Sequence, residues 1–170
     1  MPIGDIDITT NATPTEVQKV FKDFRVIETG IKHGTVTVLI DDEPIEITTY
    51  RSEGTYSDNR HPDSVVFSKT LKDDVVRRDF TMNAIAFDFQ EGFVDLVGGT
   101  NDINNRLIRC IGDAETRFRE DALRILRALR FSAVLGFSIE ENTAKAIHKC
   151  KDLLKNISAE RIQVEFSKII

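Results

Sequence analysis

The 170-residue sequence has few of the features that mark secreted, membrane-embedded or zinc-binding proteins. It contains no run of 18 or more apolar residues and opens on no signal-peptide pattern, so we expect neither membrane insertion nor secretion, and a cytoplasmic location. Cys110 and Cys150 are isolated, without a C-x-x-C spacing, and the three histidines are widely scattered. The sequence therefore predicts buried, reduced thiols and gives a zinc site little support.

Acidic residues outnumber basic ones overall, but positive charge is concentrated in one part of the chain. The net charge of −5 argues against a uniformly basic surface for nucleic acid. Residues 106–130 nevertheless carry seven arginines and four acids, a local charge of +3 on a chain whose remainder carries −8. This concentration indicates a local phosphate or nucleotide site; the alternative is a solvated helix face with ordinary salt bridges.

The residue pattern predicts an α+β fold in which a mixed unit precedes a helical one. Runs of β-branched residues at 35–40 and 45–50 flank an acidic turn and predict a hairpin. Thr13, Pro14 and Glu16 have the spacing of a capping box and predict a helix start. We expect further strands at 3–10, 26–28 and 107–111, a hairpin over 87–95, a mobile loop over 51–64, and helices at 15–24, from 79, from 117 to Gly136, at 140–154, and at 158–170 with Ser158 as N-cap.

Two carboxylates one residue apart, Asp5 and Asp7, lie in an apolar frame near the start. In a strand they would project side by side, while Ile6 and Ile8 would enter the core. Like charges held this close are costly unless a cation lies between them, and Mg²⁺ would leave positions free for phosphate oxygens. Glu46, an acid on a neighbouring predicted strand, would complete a cage for two Mg²⁺ ions. The alternative is a polar strand edge and an exposed glutamate.

A second candidate site is the segment from Arg77 to Ala84, in which two adjacent arginines precede Asp79. With Asp79 capping a helix, the guanidinium groups and the positive helix end would suit ribose hydroxyls and phosphates. The alternative is that Arg78 and Asp79 bridge a strand to a helix.

Asp121 and Arg124 are spaced i and i+3, so on a helix they would be neighbours on one face. The aspartate accepts hydrogen bonds and the arginine donates them. Cytosine and adenine both present an amino donor beside a ring-nitrogen acceptor, whereas guanine and uracil present a carbonyl and an N–H. The pair would therefore accept C and A, because G or U would leave a buried polar group unpaired. The alternative is an ordinary i,i+3 salt bridge.

Taken together, these motifs resemble the tRNA nucleotidyltransferase/poly(A) polymerase family, the class II CCA-adding enzymes of the DNA polymerase β-like superfamily. The resemblance covers essentially the whole chain. It is carried by Asp5-x-Asp7, Arg77-Arg78-Asp79-Phe80-Thr81-x-Asn83-Ala84 and Glu120-Asp121-x-x-Arg124, and by the stretches IGDIDITTNATP, HGTVTV, IEITTYR and LRILRALRFSAVLGFSIE.

The resemblance implies an enzyme that adds C, C and A to the tRNA 3′ end from CTP and ATP, with Mg²⁺ and without a nucleic-acid template. It implies a polymerase β-like head domain at 1–111 and an all-α neck domain at 112–170. Asp5 and Asp7 would hold the metal and Asp121 with Arg124 would read the base. The remaining nucleotide-binding candidates are Arg78, Asp79, Asn83, Arg127 and Arg130.

The resemblance also implies a strand, turn and helix ahead of the paired aspartates, with body and tail helices after the neck. Only four residues precede Asp5, so we expect that first element to be missing and the chain to be a truncated form. Two alternatives stay open. One is a bacterial poly(A) polymerase or an enzyme that adds only A or only C, and the other is a non-catalytic nucleotide- or RNA-binding module.

Overall fold

The computed structural model describes residues 6–28, 30–54, 56 and 64–169, and within them the predicted α+β class is confirmed. The strands are β1 Asp7–Thr10, β2 Arg25–Ile27, β3 Thr35–Ile40, β4 Glu43–Thr49, β5 Arg51–Glu53, β6 Val65–Phe67, β7 Ile85–Asp88, β8 Gly92–Asp95, β9 Leu107–Ile108 and β10 Ser138–Ile139. The helices are α1 Pro14–Val20, α2 Leu71–Val76, α3 Gly99–Asn104, α4 Ala114–Glu120, α5 Leu123–Leu135, α6 Glu141–Cys150 and α7 Ala159–Phe166. None of these helices is long and apolar enough to cross a membrane.

The chain forms two compact units, one within Met1–Gly54 and Ser64–Asp74 and the other within Thr55–Asp63 and Val75–Ile170. This division is one of packing. Phe80 and Ile108 lie in the same hydrophobic core as Phe118 and Ile125 of the following helices. The division of the chain into a head at 1–111 and a neck at 112–170 stays a prediction.

The first unit is built on a four-stranded mixed sheet of order β1-β4-β3-β2. Strand β1 runs parallel to β4, while β3 is antiparallel to both β4 and β2, so the predicted hairpin is confirmed. Val36, Val38 and Ile47 are buried against Val17 of α1, because β-branched side chains pack well on a pleated, half-buried surface. The sheet therefore places β1 beside β4, the strands that carry two of the predicted acids.

Helix α1 starts at the predicted capping box. The Oγ1 atom of Thr13 accepts a hydrogen bond from the Glu16 N–H at 3.4 Å, and Glu16 Oε2 accepts one from the Thr13 N–H at 2.7 Å. These bonds satisfy two backbone donors at the helix end. The helix ends at Val20, earlier than the predicted Phe24.

The prediction of a helix starting at Asp79 was wrong. Thr81–Asn83 is a single 3₁₀ turn, and strand β7 follows to form the predicted hairpin with β8. The reason is tertiary: Phe80 forms a β-bridge with Cys110, and the Thr81 N–H donates to the Arg109 carbonyl at 3.0 Å. These contacts draw the backbone into extended geometry before a helix can develop.

The second unit has a core of aromatic and aliphatic side chains from strands and helices alike. It includes the fully buried Phe80, Ile108 and Phe118, and both cysteines are buried and free as predicted. Gly136 ends α5 as predicted, with φ of 66°, a left-handed conformation that glycine adopts without penalty.

Several boundaries in this unit differ from prediction. The helix predicted at 140–154 is α6 followed by a 3₁₀ helix at Lys151–Asn156, and the strand predicted at 107–111 is confined to β9. The region predicted to be all-α contains β10, which pairs with β9. Ser158 is the N-cap of α7, but its side chain makes no capping hydrogen bond. The loop predicted at 51–64 starts with strand β5, which pairs with β6 directly after the loop, and most of the loop's interior lies outside the described residues.

Candidate functional site

Two of the predicted metal-binding acids lie on neighbouring strands of the first unit. Asp7 of β1 is in parallel register with Glu46 of β4, so both side chains project from the same face of the sheet on strands about 4.8 Å apart. Both residues are exposed, and no described residue makes a hydrogen bond or an ion pair with either carboxylate. Asp5, the third member of the predicted cage, lies outside the described residues.

The neighbours of Asp7 do not enter the core as predicted. Ile6 is 50% exposed and Ile8 is 42% exposed. β1 lies at the edge of the described sheet, where its apolar side chains have fewer described neighbours than those of β3 and β4.

The donor chemistry of Asp7 and Glu46 fits Mg²⁺. Carboxylate oxygens are the ligands that this hard cation prefers, and two acids without described cationic partners would be relieved of mutual repulsion by it. No group of three or more potential metal ligands occurs among the described residues, and Asp5 is not one of them. The described part of the site is therefore an acidic pair, and Mg²⁺ stays a proposal.

In the second unit, Asp79 joins three other predicted site residues in one hydrogen-bonded group. Its side chain is buried, and Oδ1 accepts bonds from the Phe80 N–H at 2.8 Å and from Asn83 Nδ2 at 3.1 Å. Its Oδ2 accepts from Arg127 Nε at 2.7 Å, while Arg78 donates to the Asn83 carbonyl at 3.3 Å. The prediction that Asp79 is the N-cap of a helix was therefore wrong. Asp79 is instead the centre of a polar cluster that holds Arg127.

The predicted helix face shared by Asp121 and Arg124 does not exist, because the helix breaks between them. Helix α4 ends at Glu120, and Asp121 has extended backbone angles of φ −138° and ψ 104° before α5 starts. The two side chains also have different partners. The break lets each side chain be held by its own contacts rather than by a mutual salt bridge.

Arg124 is almost completely buried and bonded on several sides. Its Nη1 donates to Glu120 Oε2 at 2.7 Å and to the Arg117 carbonyl at 3.1 Å, and its Nη2 donates to the Arg77 carbonyl at 3.2 Å. Burial opposes the charge of this guanidinium, but the hydrogen bond and the charge of Glu120 outweigh burial, so the pKa of Arg124 is raised. The side chain stays cationic and is fixed by these acceptors.

Asp121 is fixed by a different set of donors. Its Oδ1 accepts from the Leu123 N–H at 3.0 Å, and Arg161 Nη2 lies 3.1 Å from Oδ2 and 3.4 Å from Oδ1. Neither Arg161 nor Glu120 was among the predicted site residues. Adjacency to Asp121 was a signal for Glu120, whereas Arg161 is 40 positions away and no sequence pattern connects it to Asp121.

Arg130, the last predicted nucleotide-binding residue, is held between helices. Its Nε lies 2.7 Å from Oε2 of Glu165 on α7, and its guanidinium carbon lies 4.2 Å from the centre of the Phe131 ring. An open cavity of about 450 Å³ lies beside α4 and α6, but it is lined by none of the predicted site residues.

The comparisons with known proteins bear on the whole chain. The family model described as "Poly A polymerase head domain" matches residues 1–109, more than half of the chain. The chain belongs to the poly A polymerase head domain family. A second model, described as "Probable RNA and SrmB- binding site of polymerase A", matches residues 136–170. The predicted membership of the tRNA nucleotidyltransferase/poly(A) polymerase family is confirmed.

Curated and structural relatives in this family are longer than the chain. A CCA-adding enzyme of Enterococcus faecalis is 49% identical over 169 residues, which are 99% of the chain and 41% of that protein. The Bacillus stearothermophilus CCA-adding enzyme in complex with CTP is 45% identical with a TM-score of 0.88, covering 99% of the chain and 40% of that one. The Thermotoga maritima CCA-adding enzyme complexed with tRNA is 25% identical with a TM-score of 0.78, covering 99% and 39%. The chain therefore spans about two fifths of the length of these relatives.

Proposed function

We propose that the protein to which this chain belongs is a Mg²⁺-dependent nucleotidyltransferase that adds C, C and A to the tRNA 3′ end from CTP and ATP. The relatives named as CCA-adding enzymes, at about half identity over the whole chain, support this proposal. The structural observation that carries it is the fixed polar cluster of Arg78, Asp79, Asn83 and Arg127, which offers preorganised donors and acceptors for a nucleotide.

The acidic face supplies the metal chemistry in this proposal. Asp7 and Glu46, with Asp5, would hold Mg²⁺, which supplies charge neutralisation for triphosphate oxygens and lowers the pKa of an attacking hydroxyl. The carboxylates of Asp7 and Glu46 are exposed and have no described competitor, so they are available to such an ion.

The second unit would bind and select the nucleotide. Arg78, Asp79 and Asn83 would contact the ribose and its surroundings, and the cations Arg127 and Arg130 would face phosphate or base. Asp121 would accept a hydrogen bond from the exocyclic amino group of C or A, and Arg124 would donate one to the adjacent ring nitrogen. We also propose that the head domain covers residues 1–111 and the neck domain 112–170.

A poly(A) polymerase is the second candidate, favoured by the description of the matching family. The full-length gene product, given tRNA that lacks CCA and separately a generic RNA, separates the two. We expect two C and one A on the tRNA and negligible extension of the generic RNA. Repeated A addition to the generic RNA would favour the polymerase, and binding of CTP without any addition would favour a non-catalytic module.

A further inference from the structure

One ion pair in the second unit joins a predicted base-reading residue to a distant helix. Arg161, on α7, places Nη2 at 3.1 Å from Oδ2 of Asp121, and neither side chain is fully exposed. We propose that Arg161 is a positioning residue for Asp121 and thereby sets the preference for C and A over U and G. This inference rests on the proposed function, in which Asp121 reads the base.

The local backbone does not by itself fix the Asp121 side chain. Asp121 has an extended backbone between α4 and α5. The one local hydrogen bond described for its carboxylate is donated by the Leu123 N–H. That bond holds Oδ1 and leaves rotation toward solvent possible. Arg161 restrains Oδ2 and leaves it a second lone pair, with which it can accept an amino hydrogen.

One nitrogen of the Arg161 guanidinium bonds to Asp121, and another has no described partner. Its Nη1 is buried and, among the residues described, has no hydrogen-bond partner. Buried donors without partners are rare and costly, so each one calls for an explanation. We explain the unsatisfied Nη1 donor by the contact with Asp121. The guanidinium occupies the position from which it can bond to the Asp121 carboxylate, and in that position Nη1 has no described acceptor.

Arg161 is not the main attachment of α7. Arg130 of α5 pairs with the buried Glu165 of α7 at 2.7 Å. Ile157 and Ile162 also pack in a core cluster with Leu123 of α5. Because these contacts hold α7 in place without Arg161, removal of the Arg161 side chain should disturb Asp121 more than it disturbs the fold.

A carboxylate held at one position accepts a hydrogen bond from the amino group of C or A but offers no donor to the carbonyl oxygen of U or G. A mobile carboxylate can instead turn away from the wrong base. Replacement of Arg161 should therefore narrow the difference between correct and wrong nucleotides. Loss of a residue that orients a metal ligand typically costs 10- to 100-fold in affinity, and by analogy we expect the ratio of CTP to UTP affinity to fall roughly tenfold.

The test measures equilibrium binding of CTP, ATP, UTP and GTP with Mg²⁺ to the full-length gene product, and addition of each nucleotide to tRNA lacking CCA. The variants are Arg161→Met, Arg161→Lys as the conservative replacement, and Lys149→Met as control. Lys149 forms an exposed ion pair with Glu115 between α6 and α4, away from Asp121 in the chain. Thermal unfolding verifies that each variant folds, and Arg161→Gln replaces Arg161→Met if the latter does not.

We expect Arg161→Met to lose selectivity through a higher KM for CTP and ATP, Arg161→Lys to restore part of it, and Lys149→Met to retain it. A wild-type protein that does not prefer CTP and ATP would refute the proposed function, and this inference with it. A selective wild type with an equally selective Arg161→Met would overturn only the positioning role. Equal weakening of all four nucleotides by Arg161→Met would do the same, since it would indicate a structural role.

Discussion

The candidate acids of the two units differ in whether they have cationic partners. Asp7 and Glu46 share one exposed face of the sheet and have no described cationic partner, whereas Asp79 and Asp121 are each paired with an arginine from a distant part of the chain. Two unpaired like charges in register favour an external cation, and paired acids are already satisfied. Under the proposed function, metal binding would belong to the first unit and the positioning of nucleotide-contacting groups to the second.

The largest effect that would sharpen this comparison is expected from Asp7→Ala. Loss of a metal ligand should reduce nucleotide addition by the full-length gene product by roughly 10³-fold, since a metal ion contributes several kcal/mol to transition-state stabilisation. Stability should hardly change, because Asp7 is exposed and makes no described ion pair. The measurement is single-turnover addition of CTP to tRNA lacking CCA.

The matched control is Glu43→Ala, which removes an exposed acid from the same strand as Glu46 but three positions away, on the opposite face. It should leave the rate of addition unchanged. Normal turnover by the Asp7 variant would exclude its role at the metal.

The second unit should respond in stability rather than in metal binding. Arg124→Ala removes one of the two arginines that pair with Glu120, together with the buried bonds of Arg124 to the Arg117 and Arg77 carbonyls, and should lower the free energy of unfolding by about 3 kcal/mol. Urea denaturation followed by circular dichroism measures the loss.

The double replacement Glu120→Gln with Arg124→Gln removes both charges at once. It should recover part of the stability lost in Arg124→Ala, because the carboxylate that lost Arg124 is now neutral, and Arg117 keeps its bond to the Val76 carbonyl. A single Arg124 variant as stable as the wild type would show that its buried contacts carry no net energy.

A smaller effect is expected from Asp95, an acid satisfied by backbone amides rather than by arginine. Burial opposes its charge, but the N–H groups of Thr100, Gly99 and Val97 outweigh burial and lower its pKa to about 2. A lowered pKa stabilises the fold above the unfolded value of about 3.9 and loses that contribution as the pH falls toward 2. The urea midpoint should therefore drop over this range, and Asp95→Asn should lose that component of the drop. An unchanged pH profile in the variant would contradict this cause.

Local sequence signals predicted much of the first unit. The capping box at Thr13 and the hairpin of β3 and β4 depend on residues next to one another in the chain, and both are confirmed. In the second unit, the end of α5 at Gly136 was predictable for the same reason.

The errors lie where distant contacts override local pattern. Apolar spacing continues through Ala122 and no glycine or proline marks the break, yet the chain leaves helical geometry at Asp121, which Arg161 holds from 40 residues away. The helix expected from Asp79 does not form because Phe80 bridges to Cys110 and the Thr81 N–H bonds to the Arg109 carbonyl, both about 30 residues away. Candidate site residues could thus be chosen from the sequence, but their partners could not.

The most direct test of the metal assignment is a titration of the isotope-labelled chain with Mn²⁺, a paramagnetic substitute for Mg²⁺, followed by nuclear magnetic resonance. We expect amide signals of Asp7 and Glu46 to broaden first, and Asp7→Asn to weaken the effect. Broadening centred instead on the acidic turn Asp41–Glu43, with the signals of Asp7 and Glu46 unaffected, would contradict the assignment of the metal to this face of the sheet.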